Sequence, residues 1–361
     1  DMLETYVCVF GYGDISVRAA SNVLWGRQDV EGILPVDLNS LMQRGFGIKK
    51  KKRIKSWDSV KNIDFTNAFS ILDSAIKAEI FPGAQVVVVK RGRLVLSKGF
   101  GHQTYDTGSP PVTNKTIYDI ASLTKVLAAT PVTMKLISQK KLSLDQNIQQ
   151  FYPQFSGGYK ESVTIRHLLT HSSGLHDYVP FYKDGNIKDK KDILQSILDS
   201  KLDFEPGSQS KYSDLGFILL SSIIEKVSGR TIDRLAQSWL FQPLDMKNTR
   251  YRPPVEWRRN IAPTELDTVY RHRLIHGDVH DENTQLMGGV SGHAGIFSTA
   301  EDIAIYAQML VDGGLWEGKR FFKESQIVEF TTVQNLPEES DLALGWDTPS
   351  QNGKSIAGDY F

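Results

Sequence analysis

Ser122 and Lys125 stand three residues apart in the run Ile120-Ala121-Ser122-Leu123-Thr124-Lys125. On a helix that spacing puts both side chains on one face. A serine hydroxyl of ordinary acidity is a weak nucleophile and needs a base beside it. A lysine amine that is partly desolvated and close to other cations can lose its proton near neutral pH and serve as that base. The first turn of a helix adds free N–H groups and a positive dipole end, which suit developing negative charge. The chemistry this pair suggests is acyl transfer through Ser122. By itself, Ser-x-x-Lys far more often describes an N-capping serine next to a solvated lysine.

A third group gives the pair more weight. Tyr212 lies in Pro206-Gly207-Ser208-Gln209-Ser210-Lys211-Tyr212-Ser213-Asp214, ahead of the nearly wholly apolar stretch Leu215 to Val227 that Ser228-Gly229 ends. A tyrosine at such a junction either anchors packing through its hydroxyl or moves a proton to a leaving group.

These residues need elements to hold them. The Ser122 run opens a predicted helix reaching to about Ser138. Phe65, Ala68, Phe69, Leu72, Ala75 and Ile76 repeat at helical spacing, and Phe81-Pro82-Gly83 ends that helix. Val86-Val87-Val88-Val89, the turn Lys90-Arg91-Gly92-Arg93 and Leu94-Val95-Leu96 predict a hairpin. Ala300 to Leu310 is again helix-like. The implied class is α+β, an antiparallel sheet flanked by helices with a helical subdomain, over residues 63–361.

Residues 1–47 read differently. An apolar run from Tyr6 to Phe10, a helical stretch from Ser16 to Leu24 and the short run Ile33-Leu34-Pro35-Val36 cannot bury both faces of a sheet alone. Residues 48–62, with Lys49-Lys50-Lys51-Lys52-Arg53, form a solvated basic linker.

Bulk properties exclude several classes. Across 361 residues, 42 Lys and Arg balance 42 Asp and Glu, which favours neither nucleic acid nor an anionic membrane as partner. The single cysteine, Cys8, excludes an internal disulfide framework and a cysteine-based zinc site. No stretch approaches membrane-spanning length, and Asp1-Met2-Leu3-Glu4 does not begin a signal peptide.

Other groups have spacings that could form sites. His272, His276 and His280 recur every fourth residue with Asp278 and Asp281 near, a metal-ligand row if helical, but Gly277 interrupts the helix and no metal is expected. Asp278, Asp281 and Glu282 cluster on one short loop, poorly placed to flank a sugar as glycosidase carboxylates. His167 and His171 are expected to be hydrogen-bonded packing residues, and Asp119 and Asp145 to be capping or turn acids.

The Ser122–Lys125 element and the Tyr212-Ser213-Asp214 element occur together with Leu168-Leu169-Thr170-His171-Ser172-Ser173-Gly174-Leu175 and Gly292-His293-Ala294-Gly295. In that order and spacing, from about residue 65 to the end, the chain resembles the penicillin-binding-protein and class C β-lactamase-like serine hydrolases. The resemblance implies a β-lactamase/transpeptidase-like fold in which Ser122 forms an acyl-enzyme, Lys125 takes its proton and Tyr212 exchanges protons with the leaving group and then water. The Ser122 N–H would supply half of an oxyanion hole. Asp214, His280, His293 and Gly295 would contact substrate, a small amide or ester or a peptidoglycan-derived peptide. No cofactor is implied, and relatives work in the periplasm or outside the cell.

Two departures stand out. Asp214 replaces the asparagine more usual in Tyr-x-Asn, and a carboxylate cannot donate a hydrogen bond to a substrate amide. The third motif, a Lys-Thr-Gly or His-Thr-Gly strand, is expected just beyond Phe361, because Leu344-Gly345-Trp346 resembles the approach to it. The chain would then stop before its last core strands and be inactive as it stands. Finally, Ala19-Ala20-Ser21-Asn22-Val23-Leu24-Trp25-Gly26, Gly32-Ile33-Leu34-Pro35-Val36 and Gly45-Phe46-Gly47 resemble the closing stretch of family 3 glycoside hydrolases. That similarity implies an upstream glycoside hydrolase domain in the same polypeptide, and it raises a rival role as a non-catalytic accessory module of a β-N-acetylhexosaminidase.

Overall fold

The computed structural model describes residues 63–90 and 92–349, together with the backbone of residues 55 and 56. The expectations for residues 1–47, for most of the basic linker and for the segment beyond residue 349 lie outside the described residues.

The valine run forms the predicted hairpin. β1 (Lys55–Ser56), β2 (Gly83–Lys90) and β3 (Arg93–Gly101) make one sheet in the order β1-β3-β2, with β1 parallel and β2 antiparallel to β3. Gly83 pairs with Gly101 and Lys90 with Arg93, and the register shifts between Val88 and Val89. Gly99 is obligatory here, because a Cβ would come within 2.2 Å of the Val112 carbonyl oxygen. The preceding helix, α1 (Thr66–Lys77), packs on β3, with the rings of Phe69 and Phe100 5.1 Å apart.

The helix after Ser122 ends at Ser138 as expected, but it is not α-helical throughout. Lys125–Ala129 is π-helical, with the Thr130 N–H bonded to the Lys125 carbonyl, and α2 (Thr130–Ser138) follows. Pro131 supplies a physical reason: lacking an N–H, it cannot bond the carbonyl four residues back, and a widened turn accommodates the loss. Next come α3 (Ile165–Leu169), α4 (Lys190–Asp199), α5 (Asp214–Ser228) and α6 (Ile232–Ala236).

Helix α5 is the axis of the helical subdomain. Its residues from Leu215 through Ile224 are all buried, as an apolar sequence on every face requires, and α2, α3, α4 and α6 pack around it. The Ser213 hydroxyl caps its start by accepting the Gly216 N–H, and Gly229, at φ 69°, ends it. Phe155, Phe217, Phe241 and Phe330 lie within the surrounding core.

A second small sheet includes the strand just ahead of Ser122 in the chain. β4 (Tyr118–Asp119), β5 (Arg250–Tyr251) and the later strand β8 (Ile296–Ser298) are ordered β4-β8-β5 and wholly antiparallel. Between them in sequence lie the hairpin of β6 (Glu265–Asp267) and β7 (Arg273–Ile275) and the short helix α7 (Glu282–Leu286). The histidine row therefore does not form on a helix. His272 turns at φ 50° ahead of β7, and His276 follows that strand. After β8, Thr299 caps α8 (Ala300–Val311), the helix expected there, which packs on β2. Among the described residues no helix is long and apolar enough to cross a membrane.

Candidate active site

The turn carrying Ser122 is fixed from both sides. At the end of β4, one Asp119 carboxylate oxygen accepts the Ala121 N–H at 2.8 Å and the other accepts the His280 N–H at 2.7 Å. Ala121 is held at φ 45°, a conformation side chains rarely adopt, so the tertiary frame imposes the turn. That frame includes β8: the Ile120 N–H donates to the Ile296 carbonyl at 3.0 Å, and the Ile296 N–H donates to the Thr124 hydroxyl at 3.2 Å. Burial pushes the Asp119 carboxyl up, against the pull of its two backbone donors. The capping role expected for Asp119 is thus present, and it extends to the loop of His280.

Ser122 emerges at the surface, whereas Lys125 beneath it is only 3% exposed. The Lys125 ammonium meets Ser122 Oγ at 2.9 Å, Tyr212 Oη at 2.7 Å and Asp214 Oδ1 at 2.7 Å. Those three acceptors match its three N–H donors. A buried ammonium without a partner would be very costly, and Asp214 supplies the counter-charge. The serine, lysine and tyrosine singled out in the sequence therefore meet at one point. Asp214 joins them as the partner of Lys125, a setting that follows from a carboxylate standing where an amide is more usual.

Tyr212 is 53% exposed, and its hydroxyl meets the lysine. Its loop is stitched to the segment of His171: the Gly207 N–H donates to the Ser172 carbonyl at 2.8 Å and the Lys211 N–H to the His171 carbonyl at 2.9 Å. The His171 ring stacks on Tyr212 with centroids 4.5 Å apart, and its Nδ1 accepts the Ser213 N–H at 3.0 Å. Burial, with the nearby Lys125 charge, pushes the His171 imidazole down to about 4. Sequence spacing held no sign of this contact, because the two rings belong to loops brought together only by the packing of α3 and α5. His167 is the hydrogen-bonded residue expected, closing a capping box with Thr164.

The remaining expected substrate residues lie around this centre rather than at it. His293 is 1% exposed, with Nδ1 2.7 Å from Ser291 Oγ and Nε2 3.0 Å from Asp281 Oδ1. A ring so deeply buried does not itself contact a substrate. Burial alone would raise the Asp281 carboxyl, but the His293 charge and the Thr284 N–H outweigh it and hold the group well below the carboxylate range. Donor atoms of Asp214, Asp281 and His293 lie within 4.8 Å of one another, a grouping of metal-ligand type. There Asp214 already faces the Lys125 ammonium, and Asp281 faces His293. His280 is partly exposed, its Nε2 2.9 Å from Glu265 Oε1. Gly295, at φ 117°, lines a pocket of about 270 Å³ with Arg252, Gly289 and Phe297 that Ser122, Lys125 and Tyr212 do not border.

An exposed serine over a buried lysine, met by a phenol from the start of a buried helix, within an α+β fold, defines a serine-nucleophile hydrolase. The comparisons agree. The Beta-lactamase family profile matches residues 71–360, and the chain belongs to that family, as a serine hydrolase of the penicillin-binding-protein and β-lactamase type. A protein of Salmonella agona described as "Putative D-alanyl-D-alanine carboxypeptidase" is 31% identical over 309 residues, covering 76% of this chain and 71% of the relative. A solved penicillin-binding protein homologue from Pyrococcus abyssi superposes with a TM-score of 0.61 at 25% identity, over 75% of this chain and 60% of that one. FmtA from Staphylococcus aureus shares the fold alone, with a TM-score of 0.63 at 16% identity over 83% of this chain and 79% of that one. The comparisons lend no support to a fusion with a family 3 glycoside hydrolase.

Proposed function

We propose that the chain cleaves an amide or ester by forming an acyl-enzyme on Ser122, with a D-alanyl-D-alanine-terminated cell-wall peptide as the substrate class. The observation that carries this reading is the contact of one buried amine with the exposed serine hydroxyl and the phenol, at 2.9 and 2.7 Å. The description of the Salmonella agona relative supports the substrate class.

The chemistry follows from the geometry. Once Lys125 has given up one proton and stands as the free amine, it accepts the Ser122 proton while Oγ bonds to the substrate carbonyl carbon. The resulting oxyanion is stabilised by the Ser122 N–H. As the tetrahedral species collapses, Tyr212 gives its proton to the leaving nitrogen or oxygen and regains one from the ammonium 2.7 Å away. In deacylation the same groups remove a proton from water, which attacks the ester carbonyl, and return one to Ser122. A substrate of this class would place the enzyme in the cell envelope.

Incubation with a fluorescent penicillin and, separately, with a fluorophosphonate tests the reading by intact-mass and peptide mapping. The expected result is one adduct, on Ser122, that is lost in Ser122→Ala. No adduct with either probe, or one that persists in Ser122→Ala, would remove Ser122 as nucleophile.

A further inference from the structure

We propose that His171 is a positioning residue for Tyr212, a neutral imidazole whose ring fixes the phenol for proton delivery to the leaving group. The inference rests on the reading of Tyr212 given above and adds a role for a residue that neither touches the substrate nor belongs to the Ser-Lys-Tyr set.

Three observations converge on it. The imidazole is buried and lies in a stack, with the Tyr212 ring centroid at 4.5 Å and that of Phe217 at 5.1 Å. The Ser213 N–H donates to Nδ1 at 3.0 Å. A backbone N–H can only donate, so Nδ1 carries no proton and the ring is neutral with its hydrogen on Nε2. His171 itself stands at φ 54°, a costly backbone state that the surrounding hydrogen bonds hold in place.

The charges around the ring explain why neutrality matters. Lys125 and Asp214 act on it from the nucleophile helix and from the start of α5, and they form a neutral ion pair with each other. A protonated imidazole would bring a second cation beside the Lys125 ammonium and break the Ser213 contact. Tyr212 is more than half exposed and its hydroxyl is held by Lys125, so the stack with His171 is the second contact that restrains its ring.

The test uses two esters of one acyl group: an aryl ester, whose leaving group needs little protonation, and an alkyl ester, which depends on it. Acylation is read as kcat/KM. His171→Asn keeps an acceptor for Ser213 and tolerates positive φ but lacks the ring. It is expected to lose about tenfold more on the alkyl than on the aryl ester. His171→Phe restores the ring and should keep the alkyl-to-aryl ratio within about threefold of wild type, even with a lowered Tm from strain at positive φ. In a Tyr212→Phe background the alkyl-specific effect of His171→Asn should vanish. Should the Asn variant not fold, His171→Gln carries the same comparison. An equal loss on both esters, no loss, or an alkyl-specific loss that persists without the phenol would overturn the role of His171. If Tyr212→Phe itself shows no alkyl-specific loss, the proton-delivery reading of Tyr212 fails first and this inference falls with it.

Discussion

Among the described residues, two sets of hydroxyl, base and carboxylate invite comparison. One is Ser122, Lys125 and Asp214, with Tyr212 at its side; the other is Ser291, His293 and Asp281. By residue type the Ser291 set is the stronger candidate for catalysis, since Ser-His-Asp is a familiar hydrolase combination. Burial decides otherwise. Ser291 is 0% and His293 1% exposed, so no substrate carbonyl can reach that hydroxyl, whereas Ser122 stands at the surface beside a half-exposed phenol. The residues of a site name possible chemistry, and the accessibility of its hydroxyl decides whether a substrate can meet it.

Substitutions break or sharpen that contrast. The largest effect falls on the two serines. Ser122→Ala should cut acyl transfer by about a thousandfold or more. Ser291→Ala should leave the rate nearly unchanged and lower stability by about 1 kcal/mol, through a lost buried hydrogen bond. Ester hydrolysis and thermal melts of the pair check this, and comparable rate losses in both would erase the distinction.

Lys125→Ala ranks next. A solvated lysine could be removed without structural cost. The structure gives a different answer, because Lys125 is buried and its loss strands Asp214. Acylation should fall steeply and stability by about 2 kcal/mol, with Asp214→Asn in the same chain recovering stability but not rate. Melts and rates of the single and double variants decide it.

The smallest effect is a pH dependence. The His171 imidazole falls from its ordinary 6.5 to about 4 in the folded state. The folded state thus binds the proton less well than the unfolded one. Its contribution is fully present above about pH 6.5 and is lost as pH falls toward 4. Wild-type Tm should decline across that window and His171→Asn should flatten the decline; parallel curves would remove His171 as the source.

The sequence revealed some of this architecture and not the rest. Local signals carried far: the valine run and its Gly-containing turn gave the hairpin, and the apolar stretch after Ser213 gave the buried helix with its glycine stop. Ser122 and Lys125 were legible because both sit on one turn. Tyr212 was legible through its place ahead of that helix. What remained hidden depends on contacts between distant segments. The stack of His171 on Tyr212, the bridge from Asp119 to the His280 loop and the pairing of Asp281 with His293 have no fixed sequence separation. The π-helical turn at Lys125 was hidden for another reason, since Pro131 signals a disturbance without saying whether the helix kinks or widens.

The three protons of the Lys125 ammonium have a consequence for how the enzyme assembles. They fasten the turn of Ser122 to Tyr212, 87 positions along the chain, and to Asp214, 89 positions along. The amine has all its acceptors only when these two distant segments are docked against each other. Hydrolytic rate is thereby a gauge of long-range closure: in a denaturant series it should disappear as soon as helix α5 loosens, ahead of the bulk helical signal.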